Sequence, residues 1–133
     1  MIKANEFRLG NYVLQKKNNR VSTAVCSYEH FEMMAKNDLK DLFAVVLKSE
    51  LLQKCGFNEN VDYPLLPDAR EFILLLPVNG SHKNEIHAYI KNNGECFARA
   101  TLDGAPASNS IYFLHQLQNL YYSLTGEELL VRL

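Results

Sequence analysis

The side chains able to do chemistry are few and scattered. Four histidines stand in the chain, His30, His82, His87 and His115. His82 and His87 lie five apart across an expected loop-to-strand boundary, with no H-x-x-x-H and no carboxylate at ligand spacing. They read as surface histidines and not as a metal site. Three cysteines, Cys26, Cys55 and Cys96, make an odd set without C-x-x-C. Neither a disulfide framework nor a zinc ribbon fits, so they are expected as reduced, buried, small apolar residues. Cys55 falls at the end of a short expected helix, where the helix dipole raises a thiol pKa and disfavours a nucleophile. No G-x-S-x-G, Walker loop or G-x-G-x-x-G occurs, and Gly80, Gly94 and Gly104 read as turn glycines. The carboxylates are dispersed; Glu127-Glu128, and Glu6 near Arg8, read as solvated. No catalytic residue, metal or cofactor is expected, and an enzyme ranks third among the readings.

Two surfaces rank above it. His87, Tyr89 and Lys91 alternate on an expected strand and therefore share one sheet face. Aromatic and basic residues on an open face can stack and hold a single-stranded nucleic acid, which is the alternative reading. Net charge argues against it: 14 basic and 15 acidic residues give −1. Duplex binding normally needs a basic excess to neutralise phosphates, so duplex DNA is not an expected partner.

The other surface lies on a helix expected from Phe113 to Leu124 and closed by Gly126. Leu114, Leu117, Leu120, Tyr121 and Leu124 fall on one arc about 120° wide, a core-facing stripe. The opposite side carries His115, Gln118, Asn119 and Tyr122, and nothing from Phe113 to Gly126 holds a full charge with histidine neutral. Solvated helix faces collect Glu and Lys, whereas interface centres are depleted of charge. The four residues are the candidate interface for an unidentified protein partner or a homodimer. A neighbouring loop of the same chain lying across the face is the competing explanation.

The elements that position these residues are those of one domain, 1–133. The composition, 47% hydrophobic and 22% charged, excludes disorder, and the length suffices for a core without disulfide or metal. The longest apolar run, Phe72 to Val78, has strand length and is far too short to cross a bilayer. With no apolar leader at Met1 to Glu6, a cytoplasmic location is expected. Asn11–Gln15 and Arg20–Cys26 read as a hairpin, and Ser27 caps a helix over Tyr28–Lys36. Leu42–Leu47 reads as a buried strand. A helix from Ser49 ends at Gly56, which places Phe57 on Leu52 in a Schellman motif. Asn58–Arg70, with Pro64 and Pro67, reads as a loop. Phe72–Leu76 is expected as the central strand. Glu85–Lys91 and Glu95–Thr101 flank Asn93-Gly94, read as a type I′ turn that sets Ile90 opposite Phe97 and Tyr89 opposite Ala98. Leu102–Asn109 reads as a loop and Leu129–Leu133 as a last strand. The sum is an α+β fold: a mostly antiparallel sheet with two short helices and a longer C-terminal one.

Three blocks carry a resemblance. His115-Gln116-Leu117-Gln118-Asn119-Leu120-Tyr121-Tyr122-Ser123-Leu124-Thr125-Gly126-Glu127-Glu128-Leu129 resembles the C-terminal signature of small uncharacterised proteins of Bacteroidetes genomes, prophages and mobile elements. Arg8-Leu9-Gly10-Asn11-Tyr12-Val13 is similar to the start of that family, and Leu51-Leu52-Gln53-Lys54-Cys55-Gly56-Phe57 to its mid-chain block. Ser27 to Lys40 departs by its helical character, and Phe113-Leu114 stands where the family often has Tyr-Val. The resemblance implies a bacterial, phage-related origin and a cytoplasmic protein, with no activity and no catalytic residues to carry over. Together these readings lead to a non-enzymatic accessory or interaction protein.

Overall fold

A computed structural model describes residues 6–36, 38, 40–61, 68–77 and 84–133. His82, Gly80, Pro64 and Pro67 lie outside these described residues.

Two successive asparagines begin the architecture. Asn18 and Asn19 sit at φ 51° and 61°, the left-handed pair that a tight type I′ turn needs and that asparagine tolerates. They join β1 (Tyr12–Lys17) to β2 (Arg20–Val25), paired antiparallel with Lys17 opposite Arg20 and Tyr12 opposite Val25. The helix α1 (Tyr28–Ala35) follows, and the Ser27 backbone N–H before it donates to His30 Nδ1 at 3.0 Å. β3 (Leu42–Phe43) closes a three-stranded sheet of order β2-β1-β3. Alternation sends Val13 and Leu42 to one face, where they pack with Phe7, Cys26 and Met34 in a small core.

Leu42–Leu47, expected as one strand, forms a ladder only over Leu42–Phe43. Its apolar residues serve two cores: Leu42 enters the small one and Leu47 the main one. Between them the chain turns to the last helix, with Leu47 N–H donating to the Tyr112 carbonyl and Leu114 N–H to the Val45 carbonyl.

The helix α2 (Ser49–Lys54) ends as expected. Gly56 lies at φ 91°, its N–H donates to the Gln53 carbonyl, and Phe57 N–H donates to the Leu52 carbonyl, the bonding pattern of a Schellman motif. β4 (Asn58–Asn60) corrects the loop expected there, because it pairs with β5 (Ala69–Leu75). The five-stranded antiparallel sheet continues through β6 (Asn84–Lys91), β7 (Cys96–Leu102) and the short β8 (Ala105–Pro106), in the order β4-β5-β6-β7-β8. The central strand is thus β6, with the apolar Phe72–Leu76 run beside it. Asp103 and Gly104, at φ 50° and 86°, make the β7–β8 turn inside the expected loop.

The expected register of the β6–β7 hairpin is wrong by one residue. Tyr89 lies opposite Phe97 and Ile90 opposite Cys96. The connection is a three-residue loop, in which Gly94 N–H donates to the Lys91 carbonyl and Lys91 N–H to the Glu95 carbonyl. Only Gly94 of the loop has positive φ, so it is a type I turn closed by a glycine bulge, not a two-residue I′ turn.

One face of this sheet, with Phe72, Ile86, Ala88, Cys96 and Ala98, forms the main core with α2 and α3 (Leu114–Thr125). Leu114 and Leu117 of α3 are fully enclosed, and Gly126 ends it at φ 75°. Leu129–Leu133 is not a strand: Leu129 and Val131 anchor an extended tail whose Arg132 N–H donates to the Lys54 carbonyl at 2.9 Å. The fold is α+β, as expected, with the strands in two sheets. No helix among the described residues is long and apolar enough to cross a membrane.

Candidate functional site

The uncharged face of α3 is covered by the chain itself. Gln118 is 2% exposed and His115 1%. Residues Glu6 to Tyr12 run across them. Gln118 Oε1 accepts from the Tyr12 backbone N–H at 2.9 Å while its Nε2 donates to the Gly10 carbonyl at 3.2 Å. Asn119 Nδ2 donates to the Glu6 carbonyl at 2.8 Å, and its Oδ1 accepts from Arg8 Nε at 2.7 Å and Asn11 Nδ2 at 2.9 Å. Gln118 gives backbone both a donor and an acceptor, and Asn119 gives a donor to backbone and an acceptor to the Arg8 and Asn11 side chains; neither Glu nor Lys can do both. That need explains the missing charges. The reading of His115, Gln118 and Asn119 as a partner surface therefore gives way to a contact within the chain, which leaves only Tyr122 of the four exposed.

The same contact organises its neighbours. His115 stacks on Phe7 with ring centroids 4.0 Å apart and on Phe113 at 5.8 Å. Its Nε2 lies 3.3 Å from Glu6 Oε2, and its buried Nδ1 has no hydrogen-bond partner among the described residues. Burial pushes this imidazole below its usual range, with Glu6 pulling the other way. Arg8 reaches over the Tyr122 ring at 4.6 Å to a two-pronged ion pair with Glu128, at 2.7 and 3.3 Å. Tyr122 itself stays 44% exposed. The first and last of the three resemblance blocks meet in this contact, and the middle one forms the α2 terminus. The blocks are accounted for by folding.

His87, Tyr89 and Lys91 share the second face of the five-stranded sheet, as alternation predicts. Tyr89, however, is 1% exposed and His87 9%, with only Lys91 open. Tyr89 contacts His87 and Phe97 at centroid distances of 6.3 and 5.3 Å, and the Arg99 guanidinium lies over it at 5.6 Å. Tyr89 therefore offers no ring face for a nucleobase to stack on. This corrects the single-strand platform. His87 Nδ1 lies 2.9 Å from Glu71 Oε1 and Nε2 3.7 Å from Glu85 Oε1. His87 is thus one of the partners of the buried Glu71 carboxylate.

The cysteines are free and buried. Burial pushes the Cys55 thiol up to about 12 and Cys96 to about 11, and raises Cys26 as well. None is poised as a thiolate. Among the described residues no cluster of three or more His, Cys, Asp or Glu could hold a metal ion.

On the outer face of the β2-β1-β3 sheet several apolar side chains stay exposed among the described residues. Val21 and Val25 of β2 are 57% and 52% exposed, Phe43 of β3 45%, and Val46 beyond it 58%. Beside them Leu14, Thr23, Val45, Val46 and Leu133 line a groove of about 320 Å³ edged by Lys48, Glu50 and Lys54. β2 is also an edge strand, paired on one side only. Edge strands are usually blunted by charge, proline or a bulge, and Val21–Val25 contains neither charge nor proline. The valine alternation is plain in the sequence. That its strand lies at an edge emerges only from the fold.

No family model matches the chain, and no solved structure matches it. It is 28% identical over 117 residues to enolase-phosphatase E1 of Candida albicans, a match covering 87% of this chain. The chain spans 43% of that protein's length. The phosphatase activity in the relative's name belongs to that protein; at this identity and coverage the likeness assigns none to this chain.

Proposed function

We propose that this chain is a non-enzymatic interaction protein, an accessory of a prophage or mobile element working in the cytoplasm. The phage-related origin rests on the three sequence blocks described above. The mode of action rests on one observation: no described strand pairs with the outer edge of β2, and Val21, Val25, Phe43 and Val46 are exposed. Contiguous exposed apolar surface beside an unpaired strand edge is what protein partners bind, by adding a strand and covering the side chains. The partner is a protein, either a second copy or another chain.

The test is affinity recovery from cells that make the protein naturally, with a differently tagged second copy co-expressed. A protein retained by the wild type and lost from Val21→Lys/Val46→Glu supports the reading. Equal recovery by both proteins contradicts it.

A further inference from the structure

The edge of β2 that no described strand pairs has a symmetry that selects its occupant. Cys26 N–H donates to the Asn11 carbonyl, and Gly10 N–H to the Cys26 carbonyl. Antiparallel ladders alternate bonded and non-bonded pairs. From Cys26 backwards, Ala24, Ser22 and Arg20 therefore direct their backbone groups to β1, and Val25, Thr23 and Val21 direct theirs outward. The Lys16 N–H bond to the Asp41 carbonyl follows the same phase on the far side of β1. The outward residues read Val-x-Thr-x-Val, the same in both directions.

We infer that β2 pairs antiparallel with β2 of a second copy about a two-fold axis through Thr23, giving one continuous sheet across a homodimer. In this register Val21 faces the partner's Val25 and Thr23 faces the partner's Thr23. Each opposed pair exchanges both of its N–H···O bonds. The axis, perpendicular to the sheet, keeps the apolar faces on one side, so Val21, Val25, Leu14 and Phe43 of both copies form one surface. A dyad through Ser22 is poorer: it opposes Val21 with the partner's Thr23 and turns Val25 onto the partner's Asn19.

Charge favours the same arrangement. Arg20 lies on the side of β2 that carries α1 and, in this register, opposes the partner's Cys26, just before its α1. The first turn of that helix bears Glu29, and both Arg20 and Glu29 are exposed. The two-fold brings each Arg20 to the end of the partner's α1 that carries Glu29, twice. Tyr28 in the same turn, 79% exposed, comes under the partner's hairpin tip.

This inference rests on the proposed role of the β2 face and names its occupant. Sedimentation velocity on the full chain tests it. The wild type sediments as a dimer, and Thr23→Pro weakens association by at least about tenfold. Proline at position 23 removes an outward N–H only, leaving the bonds to β1. Should that variant not fold, Val21→Lys serves in its place, and adding Val25→Glu restores the dimer by opposing Lys with Glu across the axis. Under mild oxidation Thr23→Cys forms a reducible cross-linked dimer and Ser22→Cys does not; the native thiols are buried. A monomeric wild type, a dimer indifferent to these changes, or cross-linking through Ser22→Cys alone overturns the inference. If the wild type is monomeric yet retains another protein that Thr23→Pro loses, the proposed function stands and only the occupant is wrong. If it is monomeric and Thr23→Pro loses nothing, both fail.

Discussion

Gln118 holds Tyr12 to the last helix as a neighbouring strand would, its Oε1 accepting the Tyr12 backbone N–H at 2.9 Å. With the second amide bond to Gly10, this contact ties the segment before β1 to α3 and joins the small core to the large one. A face that looks vacant in the sequence is filled by backbone.

The first consequence is for stability. Gln118→Glu removes the donor to Gly10 and leaves a carboxylate at a site 2% exposed. We expect a loss of about 3 kcal/mol and a fall of roughly 10 °C in thermal midpoint. Adding Asn119→Lys, which also strips the acceptor from Arg8 and Asn11, lowers it further. An unchanged midpoint contradicts the covered-face description.

A pH dependence follows from His115. Burial lowers its folded pKa below the ordinary value of 6.5, so the unfolded chain takes up this proton first as pH falls. The stability associated with neutral His115 is fully present above 6.5 and is lost as pH falls from there through the folded value. Urea midpoints between pH 8 and pH 5 should show this loss in the wild type. His115→Phe, which keeps an aromatic ring between Phe7 and Phe113, should lack that part of the slope. Parallel profiles for the two proteins would refute the assignment.

The thiols make a third test. With Cys26, Cys55 and Cys96 buried and their pKa values raised, a disulfide reagent at pH 8 should leave the folded protein unlabelled. All three should react in denaturant. Rapid labelling of a folded-state cysteine would mean an accessible thiolate.

Nucleic acid gives a fourth. Tyr89→Ala empties a site 1% exposed and should cost about 3 kcal/mol or more. Labelled single strands should give no anisotropy change with the wild type at physiological salt. Tight binding abolished by Tyr89→Ala at unchanged thermal midpoint would restore the platform reading.

Local signals carried most of the elements and little of the site. The hairpin of Asn11–Gln15 with Arg20–Cys26, the Gly56 terminus and the leucine stripe of α3 follow from rules spanning a few residues, and they stand in the fold, the first strand running on to Lys17. Asn93-Gly94 misled because the pair alone does not fix loop length, and one added residue shifts a register. The true two-residue turn at Asp103-Gly104 was hidden in a stretch rich in small residues. Gln118 and Asn119 drew attention by composition, but their partners lie 106 to 113 positions away in sequence, beyond any local pattern. Val21 and Val25 read as part of an ordinary strand, because edge position belongs to the sheet and not to the strand.

The most direct measurement is amide hydrogen exchange at Val21, Thr23 and Val25 as protein concentration, or that of a recovered partner, rises. The amides of Asn11 and Tyr12, bonded to Arg8 and Gln118 within the chain, provide the comparison. We expect the Asn11 and Tyr12 amides to be protected at every concentration. The three outward β2 amides should exchange quickly in dilute solution and slow as association proceeds. Outward amides that stay fast at all concentrations and with every recovered partner, or protection that grows instead at Asn11 and Tyr12, would contradict the assignment of β2 as the working surface.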